Sequence, residues 1–138
     1  MNKILIIDDD KQLSLSFRKI LGQDGYDTHA AYTGIEGIAM VDLVKPDLVI
    51  LDIRLPDMSG MEVFEAVHPK HPKLPVIIIT AHGTTETAIQ AMKNGAFDYI
   101  YKPFDVPDML TLIEKGIEAG RCMSSPVDVN PEEELFTQ

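Results

Sequence analysis

The chain has a single cysteine, Cys122, in 138 residues. No disulfide can close within it, and a reducing location is the default expectation. No apolar run approaches the roughly 20 residues needed to cross a bilayer, and no basic, apolar opening resembles a secretory signal. Neither membrane insertion nor export is expected, so the expected localisation is cytoplasmic. Cations are scarce as well: 12 Lys and Arg stand against 22 Asp and Glu, a formal charge of −10. A domain that grips nucleic acid needs clustered cations for the phosphates; no direct nucleic-acid binding by this chain is expected. There is no internal repeat. There is also no GxxxxGK[ST] loop to cradle nucleotide phosphates, which argues against ATP hydrolysis by these residues.

What remains is ordinary for a globular domain. With 45% hydrophobic residues, a chain of this length can bury roughly two-thirds of its unfolded surface around one core. Residues 1–120 read as that domain. Residues 121–138, with Asp128 and Glu132 to Glu134 among Ser, Pro and Asn, read as an acidic linker or poorly ordered tail, in which Cys122 is an exposed thiol without function.

Ile4 to Ile7, Leu48 to Leu51 and Val76 to Ile79 are short, continuous apolar runs, typical of strands covered on both faces. Thr28 to Ala31 and Asp98 to Tyr101 are more polar, as edge strands are. Between them, apolar residues recur at helical spacing: Leu13, Phe17, Ile20 and Leu21; Ile35, Ile38, Ala39 and Leu43; Val63, Phe64 and Val67; Leu110, Ile113 and Ile117. A further helix from about Thr85 to Asn94, closed by Gly95, presents a small inward face of Ala88, Ala91 and Met92. The proline-rich segment 68–75 reads as an exposed loop, and His68 and His71 receive no role. Five strands alternating with five helices predict an α/β fold, a single doubly wound parallel sheet. Right-handed crossovers and central placement of the most apolar strands give the order 2-1-3-4-5, the flavodoxin-like order.

That order brings the polar breaks after the strands to one edge: Asp8 and Asp9 after the first, Asp52 after the third, Thr80 after the fourth, Lys102 at the fifth. Carboxylates so gathered raise one another's pKa unless a cation neutralises them, and a hard ion such as Mg²⁺ takes oxygen ligands. Such a site can set a phosphoryl donor in line with an Asp52 oxygen, with Lys102 sharing the charge and the Thr80 hydroxyl donating to a phosphoryl oxygen.

At these residues the chain resembles the receiver domain of bacterial two-component response regulators, from about Lys3 to Ala119. The resemblance is carried by IIDDD, LDIRLPDMSG, ITAHG and YIYKPF, in that order. It implies that Asp52 is the phosphoacceptor, served by a sensor histidine kinase. It implies that Asp9, Asp52 and the backbone carbonyl of Arg54 bind Mg²⁺ directly, with Asp8 acting through a metal-bound water. It implies that Lys102 contacts the phosphoryl group, that Thr80 and Tyr99 are the switch pair, and that the Lys102–Pro103 peptide bond is cis. The stretch 81–104 looks most like receivers that precede an AAA+ ATPase domain and a DNA-binding domain in enhancer-binding activators. The surface of the fourth helix, fifth strand and fifth helix is a candidate for self-association into a homodimer. Arg54 and His82 are the slight departures, each two residues past a site residue.

Three rivals share the sheet. A Mg²⁺-dependent phosphatase with an Asp nucleophile looks for Asp-x-Asp, yet Arg54 stands two residues beyond Asp52. A flavodoxin-type flavin carrier needs a hydroxyl- and glycine-rich loop where Asp8 to Asp10 would repel its phosphate. A phosphorylation-independent interaction module of the same fold would normally have lost the acids or Lys102.

Overall fold

Side chains of a strand point alternately to its two faces, and in three strands of this chain both sets are apolar, so the sheet requires cover on both sides. The computed structural model, which describes residues 2–81 and 85–124, provides that cover. Its strands β1 (Lys3–Ile7), β2 (Asp27–Ala31), β3 (Leu48–Asp52), β4 (Val76–Ala81) and β5 (Asp98–Lys102) form one parallel sheet in the order β2-β1-β3-β4-β5. The helices α1 (Lys11–Gln23), α2 (Gly34–Val44), α3 (Gly60–Val67), α4 (Thr85–Lys93) and α5 (Val106–Ser124) alternate with them. The fold and strand order are those expected.

Two cores result. Leu5, Ile7, Val49, Leu51, Val76 and Ile78 pack with Val41 of α2, Val63 and Phe64 of α3 and Ala91 of α4. Ile4, Ile6, Leu48, Ile50, Ile77 and Ile79 pack on the other face with Phe17 and Leu21 of α1 and Met109, Ile113 and Ile117 of α5. The parallel register, with Ile6 beside Ile50 and Ile50 beside Ile77, keeps each set on one face from strand to strand.

Three expectations about packing need correction. The stripe Ile35, Ala39, Leu43 of α2 faces outward, with Ile35 66% and Leu43 78% exposed. The buried face is Gly34, Gly37 and Val41, because the helix lies so close to the sheet that a β-carbon on Gly37 would sit 2.6 Å from Ile7 Cδ1. On α4, Ala88 and Ala91 are buried as expected, but Met92 is 37% exposed. His68 is no loop residue: it caps the C-terminus of α3, and its ring stacks on Phe64 at 5.0 Å. His71 does lie beyond the helix, 2.9 Å from Asp42.

The helix α5 runs through Ser124, past the expected domain end at 120. The remainder of the tail (125–138), the side chain of Cys122, and the 82–84 turn that contains His82 lie outside the described residues.

The loop after β3 is folded tightly by Gly60, whose N–H donates to the Ile53 carbonyl at 2.6 Å. A β-carbon there would strike the Asp52 carbonyl oxygen and lie 2.8 Å from Ile53 Cα. Backbone atoms cannot swing aside, so Gly60→Ala is expected to cost about 1–3 kcal/mol. Urea unfolding would show a lowered midpoint; an unchanged midpoint would mean that the loop yields freely.

Candidate functional site

Continuing the alternation past the strand ends explains which polar side chains meet. Asp8 follows Ile4 and Ile6, Asp52 follows Leu48 and Ile50, and Lys102 follows Ile100, all on the α1/α5 face. Lys102 Nζ accordingly lies 3.1 Å from Asp52 Oδ2 and 3.3 Å from Asp8 Oδ2. Asp8 and Asp52 are buried and Asp9 is exposed. One carboxylate oxygen from each of Asp8, Asp9 and Asp52 lies within 4.8 Å of the others.

Burial pushes the Asp8 carboxyl above its ordinary pKa, and the Asp52 charge adds to this, against the opposing N–H of Asp10 and the Lys102 ammonium. For Lys102, burial works against the ammonium, but the Asp52 and Asp8 charges outweigh it and raise its pKa. Two buried acids thus share one lysine, and the third acid opens the cluster to solvent. Hard oxygen donors at this spacing are suited to a divalent cation. Arg54 N donates to Asp52 Oδ1 at 3.1 Å, so the Arg54 peptide adjoins the cluster.

Thr80 is buried and belongs to the opposite set, in line with Ile78 on the α2–α4 face. Tyr99 pairs with Ile78 in the register, half-buried on that same face. Sequence reasoning missed Tyr101, which is the register partner of Thr80 and whose ring lies edge-on to Tyr99 at 5.4 Å. The period-two spacing of the two tyrosines was the available signal. The Lys102–Pro103 peptide bond is cis. Asp10 caps α1, its Oδ1 accepting from Leu13 N at 3.0 Å, while its own N–H donates to Asp8 Oδ1 at 3.0 Å.

Asp57 was also missed. Its Oδ1 accepts from Gly34 N at 2.7 Å and its Oδ2 from Ile35 N at 2.9 Å, which hold its pKa below the ordinary carboxylate value. No local pattern shows this, because the partners are more than twenty residues away.

Fold and site together define a doubly wound α/β domain with a cation-ready acidic cluster, a lysine and a hydroxyl at the C-terminal edge of its sheet. Residues 4–114 match the family model of the response regulator receiver domain, and the chain belongs to that family. It is 32% identical over 118 residues to the regulatory protein AtoC of Escherichia coli, covering 86% of this chain and 26% of AtoC. It is 34% identical to the luminescence regulatory protein LuxO of Vibrio campbellii, covering 91% of this chain and 28% of LuxO. A receiver domain structure from Clostridium thermocellum superposes with a TM-score of 0.85 at 33% identity, over 89% of this chain and 99% of that one. The family is that of two-component signalling, and its receivers are regulatory domains rather than enzymes acting on a separate substrate. The chain spans about a quarter of the length of the curated relatives it matches. Among the described residues, no helix is long and apolar enough to cross a membrane.

Proposed function

We propose that the chain is the phosphoacceptor switch of a two-component phosphorelay, taking a phosphoryl group from a sensor histidine kinase onto Asp52. The observation that carries this reading is the placement of Asp52 between Lys102 Nζ at 3.1 Å and two further carboxylates within cation-sharing distance. An Asp52 oxygen attacks the phosphorus of the donor phosphohistidine. The O–P bond forms as the P–N bond breaks, and the leaving imidazole keeps the electron pair and takes a proton from solvent. Bound Mg²⁺, for which Asp8, Asp9, Asp52 and the Arg54 carbonyl are the candidate ligands, supplies charge neutralisation to the acids and the transferring group. Lys102 shares the same charge and orients the Asp52 carboxylate by its hydrogen bond. Water can later attack the acyl phosphate, so the domain governs its own dephosphorylation.

Phosphorylation replaces a charge of −1 by one of about −1.5 to −2 with more acceptor oxygens. The Thr80 hydroxyl turns toward them, and Tyr99 moves into the space released, altering the surface of α4, β5 and α5. That surface is the proposed site of self-association. The output is transcriptional, through domains of the kind that make up the rest of relatives such as AtoC and LuxO, and this chain itself contacts no DNA.

The test is intact mass after incubation with acetyl phosphate and Mg²⁺. One added phosphoryl mass is expected for the wild type, with none in excess EDTA. Uptake at an undiminished rate in EDTA would reject the metal site, and no uptake under any condition would favour the phosphorylation-independent module.

A further inference from the structure

We propose that Asp57 is a positioning residue that sets the affinity of the acidic cluster for its divalent cation, by tying the loop after Asp52 to the N-terminus of α2. The inference rests on the phosphoacceptor reading above, which places that cation beside the Arg54 peptide.

The first N–H groups of a helix have no partner within it and need acceptors from elsewhere. In α2 these acceptors come from two places. Thr33 Oγ1 accepts from Glu36 N at 3.0 Å, an ordinary local cap. The Gly34 and Ile35 N–H groups instead donate to the two oxygens of Asp57, at 2.7 and 2.9 Å. One carboxylate thus takes both bonds, next to the positive end of the helix dipole. Met58 adds to the join, because its side chain lies where a β-carbon on Gly34 would have to go.

The other end of the loop is held at the acceptor. Arg54 N donates to Asp52 Oδ1 at 3.1 Å, Arg54 bridges to Ser59, and Gly60 N donates to the Ile53 carbonyl at 2.6 Å. Asp57 lies between these anchors and fixes the middle of the loop to a second element. Without it, the segment carrying Arg54 keeps its β3 and α3 anchors and the apolar packing of Leu55 and Met58, but loses its hydrogen bonds to α2. Side chains that orient a metal site without touching the ion typically change its affinity by about 10- to 100-fold. Coupling is reciprocal, so a cation bound at Asp9 and Asp52 should in turn steady the Gly34 and Ile35 amides.

Titration calorimetry with MgCl₂ tests this on the whole chain. Asp57→Ala is expected to raise the Mg²⁺ Kd about tenfold. Asp57→Asn, which keeps one acceptor oxygen, should fall between Asp57→Ala and the wild type. Thr33→Ala removes a cap from the same helix without touching the loop and should bind Mg²⁺ as the wild type does. Wild-type affinity in Asp57→Ala overturns the proposal, and so does an equal loss in Thr33→Ala, which would make helix stability the whole effect. If Asp57→Ala does not fold, amide exchange in the wild type decides: Mg²⁺ should slow Gly34 and Ile35, and no change at either contradicts the coupling. Failure of the wild type to bind Mg²⁺ at all would sink the metal reading together with this one, a result distinct from a silent Asp57.

Discussion

Asp8→Asn is expected to be more stable than the wild type in metal-free buffer at neutral pH, by about 1 kcal/mol, the usual scale of a single substitution. Asp8 is buried against Asp52 with one lysine between them, and both burial and the Asp52 charge raise its pKa. A carboxyl whose folded pKa exceeds its unfolded value favours folding fully only below that unfolded value. Its contribution is lost as pH rises from about 3.8 through the raised folded pKa. The asparagine carbonyl can still accept from Asp10 N, so the local turn survives while the charge is removed.

The same substitution should blunt the response to Mg²⁺. A ligand present at 100 times its Kd stabilises the state it binds by about 2.7 kcal/mol. The wild type should therefore overtake Asp8→Asn once Mg²⁺ is in sufficient excess. Thermal or urea unfolding from pH 3 to 8, with and without Mg²⁺, reads both effects. A mutant less stable than the wild type without metal, or a full Mg²⁺ response in the mutant, would contradict the account of the cluster.

Thr80→Ala should still take up phosphate at Asp52, yet lose most of the phosphorylation-dependent change in α4 amide exchange and in self-association. The argument is one of magnitude. Moving a population from 1:99 to 99:1 needs about 5.5 kcal/mol of differential stabilisation, whereas one hydrogen bond gives about 0.5–1.5 kcal/mol. The proposed relay would therefore shift the population only in part, with a partner surface needed to complete it. The strand register shapes the path, since Tyr101 stands opposite Thr80 and edge-on to Tyr99. The helix α4 can shift at small cost because, among its described side chains, the buried face offers only Ala88 and Ala91. A full wild-type change in both measurements, at equal phosphorylation, would mean that the signal leaves Asp52 by another route.

Much of this is legible in the sequence alone. Continuous apolar runs ending in Asp8, Asp52 and Thr80 marked strands and placed their polar ends at one edge, because a buried strand leaves little freedom in where its next polar residue goes. Helix faces were harder. The helix α2 is apolar nearly all round, so periodicity favoured the larger Ile35, Ala39 and Leu43, while close approach to Ile7 selected the face with Gly34 and Gly37. In α5 helical spacing likewise favours Leu110 over its neighbour Met109, which is the buried residue. The prolines after His68 point to a loop, although its ring packs back on Phe64 within its own helix end. The Asp57 hydrogen bonds to Gly34 and Ile35 are visible only in the folded loop, since these partners belong to another element.

Reductive trapping tests the central claim most directly. Borohydride converts an aspartyl phosphate to homoserine, and peptide mass spectrometry after treatment with acetyl phosphate and Mg²⁺ locates the change. Homoserine at position 52 alone, absent from Asp52→Asn and from the EDTA control, is the predicted result. Conversion at another carboxylate in the wild type, with position 52 unmodified, would contradict the assignment of Asp52 as the phosphoacceptor.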